Sequence, residues 1–107
     1  MKISRHHDGD TVRISLQGDL DLATNAAVRG CVDQALAESG PERLLIDMTG
    51  VTFCDSAGIE ALLYARTVSL ERGTTFRVAN VGGISLVALE MTGVLPLLSG
   101  DVGVGGG

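Results

Sequence analysis

Residues 11–16 read T-V-R-I-S-L, with Val12, Ile14 and Leu16 on one side and Arg13 and Ser15 on the other. That alternation is the period-two pattern of a half-buried strand. Residues 2–7 form a weaker strand candidate, and Asp8-Gly9-Asp10 between them is a tight-turn signal. The opening therefore predicts an antiparallel hairpin. Gly18-Asp19-Leu20-Asp21 is expected to break the second strand. From residue 22 to about 39 the rhythm becomes helical: Val28, Val32 and Leu36 recur at intervals of four, with Cys31 and Ala35 beside them. Asp21 or Thr24 offers a capping oxygen, and Gly40-Pro41 is a firm stop.

The second half repeats the scheme. Residues 43–48 hold Leu44-Leu45-Ile46 without alternation, which predicts a central strand covered on both faces. After the connection at 48–58, a helix over about 56–72 carries an apolar stripe of Ile59, Leu62, Leu63 and Leu70. Gly73 suits its C-terminal cap. Residues 74–79 alternate through Phe76 and Val78 as a further strand. The turn at 80–83 leads to a third helix over about 84–92, and Pro96 restricts 94–98 to a short edge strand. Residues 1–99 read as one domain, and 100–107 as a Gly-rich tail unable to order itself. A β-β-α-β-α-β-α order asks for parallel neighbours joined by crossovers. The expectation is a single small α/β domain with a mixed sheet of about four to five strands and helices packed against it.

Composition narrows the function. The 107 residues include one Tyr, two Phe and no Trp, and carry a net charge of −5. There is neither a stacking platform nor a basic stripe for nucleic acid, and no Lys/Arg cluster for an anionic membrane surface. No run approaches the roughly 18 apolar residues of a spanning helix, and the first residues lack the apolar core of a signal peptide. A cytoplasmic location is expected. Cys31 and Cys54 are too far apart for a C-x-x-C pair, so buried free thiols are expected and no metal site. His6 and His7, adjacent on a strand, face opposite ways and cannot chelate one ion together.

The chemistry-bearing residue is Ser56, between Asp55 and Ala57-Gly58 at a strand-to-helix corner. Three roles suit a hydroxyl there. It is a favoured helix N-cap. As a nucleophile it half-matches G-x-S-x-G, with Cys54 at the first glycine, but the only histidines precede it and the order Ser, acid, His is absent. As a phosphorylation acceptor it would gain about −1.5 to −2 charges at a helix N-terminus beside Asp55, altering a partner surface without disturbing the core. No Walker-type phosphate loop supports nucleotide binding.

Gly18-Asp19-Leu20-Asp21, then residues 45–59 through the D-S-x-G corner, then Leu89-Glu90-Met91-Thr92-Gly93 together resemble the STAS domain. The likeness is strongest to the free-standing bacterial anti-sigma factor antagonists, and it runs from about residue 11 to 98. It implies a non-enzymatic regulator of transcription with no cofactor of its own. Unphosphorylated, such a protein binds an anti-sigma factor serine kinase and frees a sigma factor. The kinase, using ATP and Mg²⁺, phosphorylates the serine after the Asp, the partners separate, and a phosphatase resets the cycle. Transferred by position, Ser56 is the acceptor, Asp21 and Asp55 help to position it or touch the kinase, and Gly58 and Ile59 lie on the docking face. Ala57 leaves no neighbouring hydroxyl, Asp19 stands where relatives commonly have Glu, and residues 84–89 are unusually apolar. The alternative is a STAS-type interaction module in another assembly, such as a signalling scaffold or a phosphatase regulator.

Overall fold

The computed structural model describes residues 1–82. The third helix expected at 84–92, the edge strand at 94–98, the end of the 1–99 domain and the tail at 100–107 lie outside the described residues. Two strands open the chain, β1 Lys2–Asp8 and β2 Thr11–Leu20, joined by Gly9-Asp10. Helix α1 Asn25–Ser39, strand β3 Arg43–Cys54, helix α2 Ser56–Glu71 and strand β4 Thr75–Ala79 follow. The sheet order is β1-β2-β3-β4. The β1/β2 pair is antiparallel, whereas β2/β3 and β3/β4 are parallel. The expected mixed α/β architecture is therefore present.

Register explains the core. Val12, Leu44 and Phe76 align across three strands, as do Ile14, Ile46 and Val78. These buried rows meet Val28, Val32, Ala35 and Leu36 of α1 and Ile59, Ala61, Leu62 and Ala65 of α2 in one cluster. Branched aliphatic side chains fit a pleated surface well, and the helices add small residues where they approach it. On the other face Arg13, Leu45 and Arg77 align, and none of the three is buried. Here the structure corrects the expectation from the apolar run at 44–46. β3 is central in the sheet, yet Leu45 and Asp47 are only half-buried, because both described helices pack on the same face. A second correction concerns α2. Leu70 is 51% exposed, and the inward position near that helix end belongs to Ser69.

Two strands also run further than the pattern suggests. β2 passes through Gly18-Asp19, and β3 through Thr49-Gly50, both of which read as breaks. The pair stays together by shifting register between Ser15 and Gln17 and again between Gly18 and Asp19. A bulge absorbs an extra residue in this way and twists the strand. Gly18 sits at φ +111, where a side chain would be strained. The extension carries both strand ends, Leu20 and Cys54, to the same level.

Midway along β3, level with the end of β4, the Asp47 carboxylate accepts from Thr49 N at 3.0 Å, Thr49 Oγ1 at 2.6 Å and Asn80 Nδ2 at 3.0 Å, tying β3 to the residue after β4. Partial burial opposes its ionisation, but the hydrogen bonds from Thr49 and Asn80 outweigh that and hold its pKa below the ordinary value. A depressed folded-state pKa favours the folded chain when the group is ionised. The contribution is thus complete above the unfolded carboxylate range, about pH 4, and disappears as pH falls through the lower folded value. Asp47→Asn is expected to lower the thermal midpoint at pH 7 by a few degrees and to cost progressively less as the pH is brought down through the acid range. A loss that does not shrink with falling pH would contradict this.

Candidate functional site

The site lies where parallel β2 and β3 end side by side, the edge at which α/β sheets commonly bind. After Leu20, the Asp21 carboxylate accepts from Ala23 N at 3.0 Å and Thr24 N at 3.2 Å. The Thr24 hydroxyl donates to the Asp19 carbonyl at 2.9 Å and accepts from Asp21 N at 2.9 Å. Thr24 occupies the N-cap position of α1 but makes no side-chain cap bond to the helix. The polar network instead fastens a turn before it, so α1 begins at Asn25 rather than at residue 22. Leu22 is left 79% exposed.

The second corner interlocks with the first. Asp55 N donates to the Leu20 carbonyl at 3.2 Å, and Thr52 Oγ1 donates to Asp19 Oδ1 at 3.0 Å. The N-cap of α2 is Asp55, not Ser56: its carboxylate accepts from Gly58 N at 3.0 Å. That satisfies one of the helix's orphan amides and places negative charge at the positive end of its dipole. Ser56 is the first helical residue and is exposed. The capping role expected of its hydroxyl belongs to its neighbour.

Gly58 and Ile59, expected on a docking face, point inward instead. Gly58 is buried and Ile59 is 7% exposed. A Cβ built on Gly58 would lie 2.3 Å from the Leu20 carbonyl oxygen and 3.0 Å from Cys54 Sγ. The missing side chain lets α2 start directly against the end of β2. Both residues therefore set the position of Ser56, and the surface itself is made by Ser56 with the partly exposed Asp21 and Asp55. Exposed Asp19, Leu22 and Phe53 lie beside them in the chain or the register. Among the described residues the ion pair is Arg5–Glu38, on other elements, so no salt bridge neutralises this acidic corner.

The nucleophile reading fails on distance. His6 and His7 pair with Arg13 and Val12 near the start of β2, whereas Ser56 follows the far end of β3 beside Leu20. At about 3.3 Å per residue the separation along β2 is roughly 25 Å, which leaves Ser56 without a histidine base. Among the described residues no group of His, Cys, Asp and Glu is arranged to hold a metal ion. No described helix is long and apolar enough to cross a membrane.

Cys54 is buried, and burial, aided by the Asp55 carboxylate, pushes its thiol up to about 11. A thiol so protonated is a poor nucleophile. Alkylation of Cys54 in the folded chain at pH 7.5 is expected to run at least about a hundredfold slower than in denaturant. Peptide mass analysis separates it from half-buried Cys31, and labelling at the denatured rate would contradict the burial.

One contact had no counterpart in the sequence reading. Asn25 Nδ2 donates to the Ala57 carbonyl at 2.6 Å, joining the first residue of α1 to the first turn of α2.

Comparison with known proteins agrees with this architecture. The chain is 24% identical to an anti-sigma F factor antagonist of Paenibacillus polymyxa, covering 95% of this chain and 90% of that protein. It is 28% identical to the anti-sigma-F factor antagonist RsfB of Mycobacterium tuberculosis, over 82% of this chain and 70% of RsfB. The crystal structure of an anti-sigma factor antagonist from Mycobacterium paratuberculosis superposes with a TM-score of 0.77 at 25% identity, covering 87% of this chain and 78% of the other. The STAS domain profile matches residues 2–102, nearly the full length. The chain belongs to the STAS domain family.

Proposed function

We propose that this chain is an anti-sigma factor antagonist. Unphosphorylated, it binds an anti-sigma factor that is also a serine kinase and so frees a sigma factor, and phosphorylation at Ser56 switches it off. The observation that carries this reading is the exposed Ser56 at the first position of α2, directly after a capping Asp55 and beside the Asp21 turn. A phosphoryl group there reaches solvent without disturbing the core. The Gly58 amide is already engaged by Asp55, so the new charge stands against carboxylates rather than replacing one at the cap. A surface complementary to the unmodified corner would face repulsion and desolvation of about two more negative charges. The similarity to named anti-sigma factor antagonists supports the same reading. A phosphatase acting on phospho-Ser56 completes the cycle, which runs in the cytoplasm.

The test is affinity capture from the host with the wild-type chain, Ser56→Ala and Ser56→Asp. Wild type and Ser56→Ala are expected to retain a small ATP-binding kinase that Ser56→Asp loses. Retention of a large sensory assembly by all three would favour an interaction module of another kind.

A further inference from the structure

Asp55 caps α2, Asp21 fastens the turn before α1, and the Asp55–Leu20 and Thr52–Asp19 bonds link the strand ends, but none of these joins the two helix starts. The Asn25 amide lies at the first position of α1 and reaches 32 residues along the chain to the Ala57 carbonyl, directly after Ser56. We propose that Asn25 is the positioning residue for Ser56: its amide pre-orders the first turn of α2 so that the hydroxyl is presented to the modifying kinase. This inference rests on Ser56 being the acceptor.

A helix start is weakly held. The first turn of α2 has amides without intrahelical partners, and in the described residues Asp55 satisfies that of Gly58. Such an end frays at small cost, and a docking partner must then order it. The Asn25 bond fixes the same turn from the side of α1, while Asp55 N to the Leu20 carbonyl fixes its approach. Asn25 has no need to touch the kinase to matter. Removing its amide raises the ordering cost of docking and leaves the docked complex, in which the kinase holds the turn, unchanged. The expected signature is an effect on KM with kcat preserved.

Asn25→Ala and Asn25→Asp are the two variants. Asp keeps the size of the side chain and is favourable at a helix N-terminus, so a role confined to the start of α1 would let Asp substitute. It cannot donate to a carbonyl, so the proposal requires it to fail as Ala does. Phosphorylation of each chain by the kinase with ATP is measured well below the lowest melting temperature, with the site mapped by peptide mass spectrometry. One net hydrogen bond corresponds to about a fivefold rise in KM for both variants, with kcat within about twofold. Hydrogen exchange at the Gly58 and Ile59 amides is expected to quicken by a similar factor. Unchanged KM in both variants, rescue by Asp, or a fall in kcat alone would overturn the role of Asn25 while leaving Ser56 as acceptor. Absence of phosphate at Ser56 in the wild type would remove the functional reading itself, and this inference with it.

Discussion

Gly58→Ala is expected to destabilise the domain by about 3 kcal/mol, at the upper end of overpacking penalties. The added methyl would stand 2.3 Å from the Leu20 carbonyl oxygen, 2.9 Å from Leu20 Cγ and 3.0 Å from Cys54 Sγ. A flexible side chain moves aside at small cost, but the first of these atoms is backbone in a paired strand. That carbonyl also accepts from Asp55 N, so retreat of α2 weakens the link between the corners and tilts the cap. Each 1 kcal/mol moves the melting temperature of a domain this size by about 4–8 °C, so a loss on the order of 15 °C is expected by circular dichroism. Kinase binding should fall with it even where the variant remains folded, because Ser56 is carried by the displaced turn. A melting temperature within 3 °C of wild type, taken as about half a kcal/mol, would contradict the close approach.

The second large effect is electrostatic and leaves the fold intact. Ser56→Asp is expected to weaken kinase binding by about 2 kcal/mol or more, roughly thirtyfold, as an unpaired charge in a fitted interface does. The same change should shift the melting temperature by no more than about 2 °C. An acid in the first turn of a helix gains a few tenths of a kcal/mol from the dipole, and repulsion from Asp55 opposes that gain. Ser56→Ala should bind within about threefold of wild type, because Asp55 rather than the serine hydroxyl caps α2. Calorimetric titration of the kinase with the three chains separates these outcomes. Equal weakening by Ala and Asp would show that the hydroxyl itself is a contact, and that charge is not the switch.

The strands and helices of the first 82 residues were largely legible because their periodicities follow from a single buried face. Val12, Ile14 and Leu16 alternate, and Val28, Val32 and Leu36 recur by fours, since each set meets the same core. The candidate site was legible as a stretch but not as an arrangement. Thr49-Gly50 and Gly18-Asp19 look like turns to any local rule, and only their mutual pairing, with a register shift, makes them strand. Asp55 and Ser56 are both good caps, and composition cannot choose between them. The choice depends on which side chain faces the Gly58 amide, a matter of where the helix begins. The resemblance implies a docking face for Gly58 and Ile59, whereas Gly58 packs closely against Leu20 and Ile59 is buried in the core cluster. Leu70 fitted the spacing of the α2 stripe, yet near the helix end the buried position falls to Ser69 instead. The Asn25 contact left no local signal, because its partner is a backbone carbonyl brought close only by the packing of α1 and α2.

One phosphate on Ser56 is expected to separate this chain from the proposed kinase. The most direct measurement is the affinity of the purified kinase for the wild-type chain before and after incubation with ATP and Mg²⁺, with the phosphate located by peptide mass spectrometry. The expected result is a single phosphate, on Ser56, and a loss of affinity of at least about a hundredfold, larger than for Ser56→Asp because the phosphate carries more charge. A phosphate on any other residue, or unchanged affinity in the chain phosphorylated at Ser56, would contradict a switch at this serine.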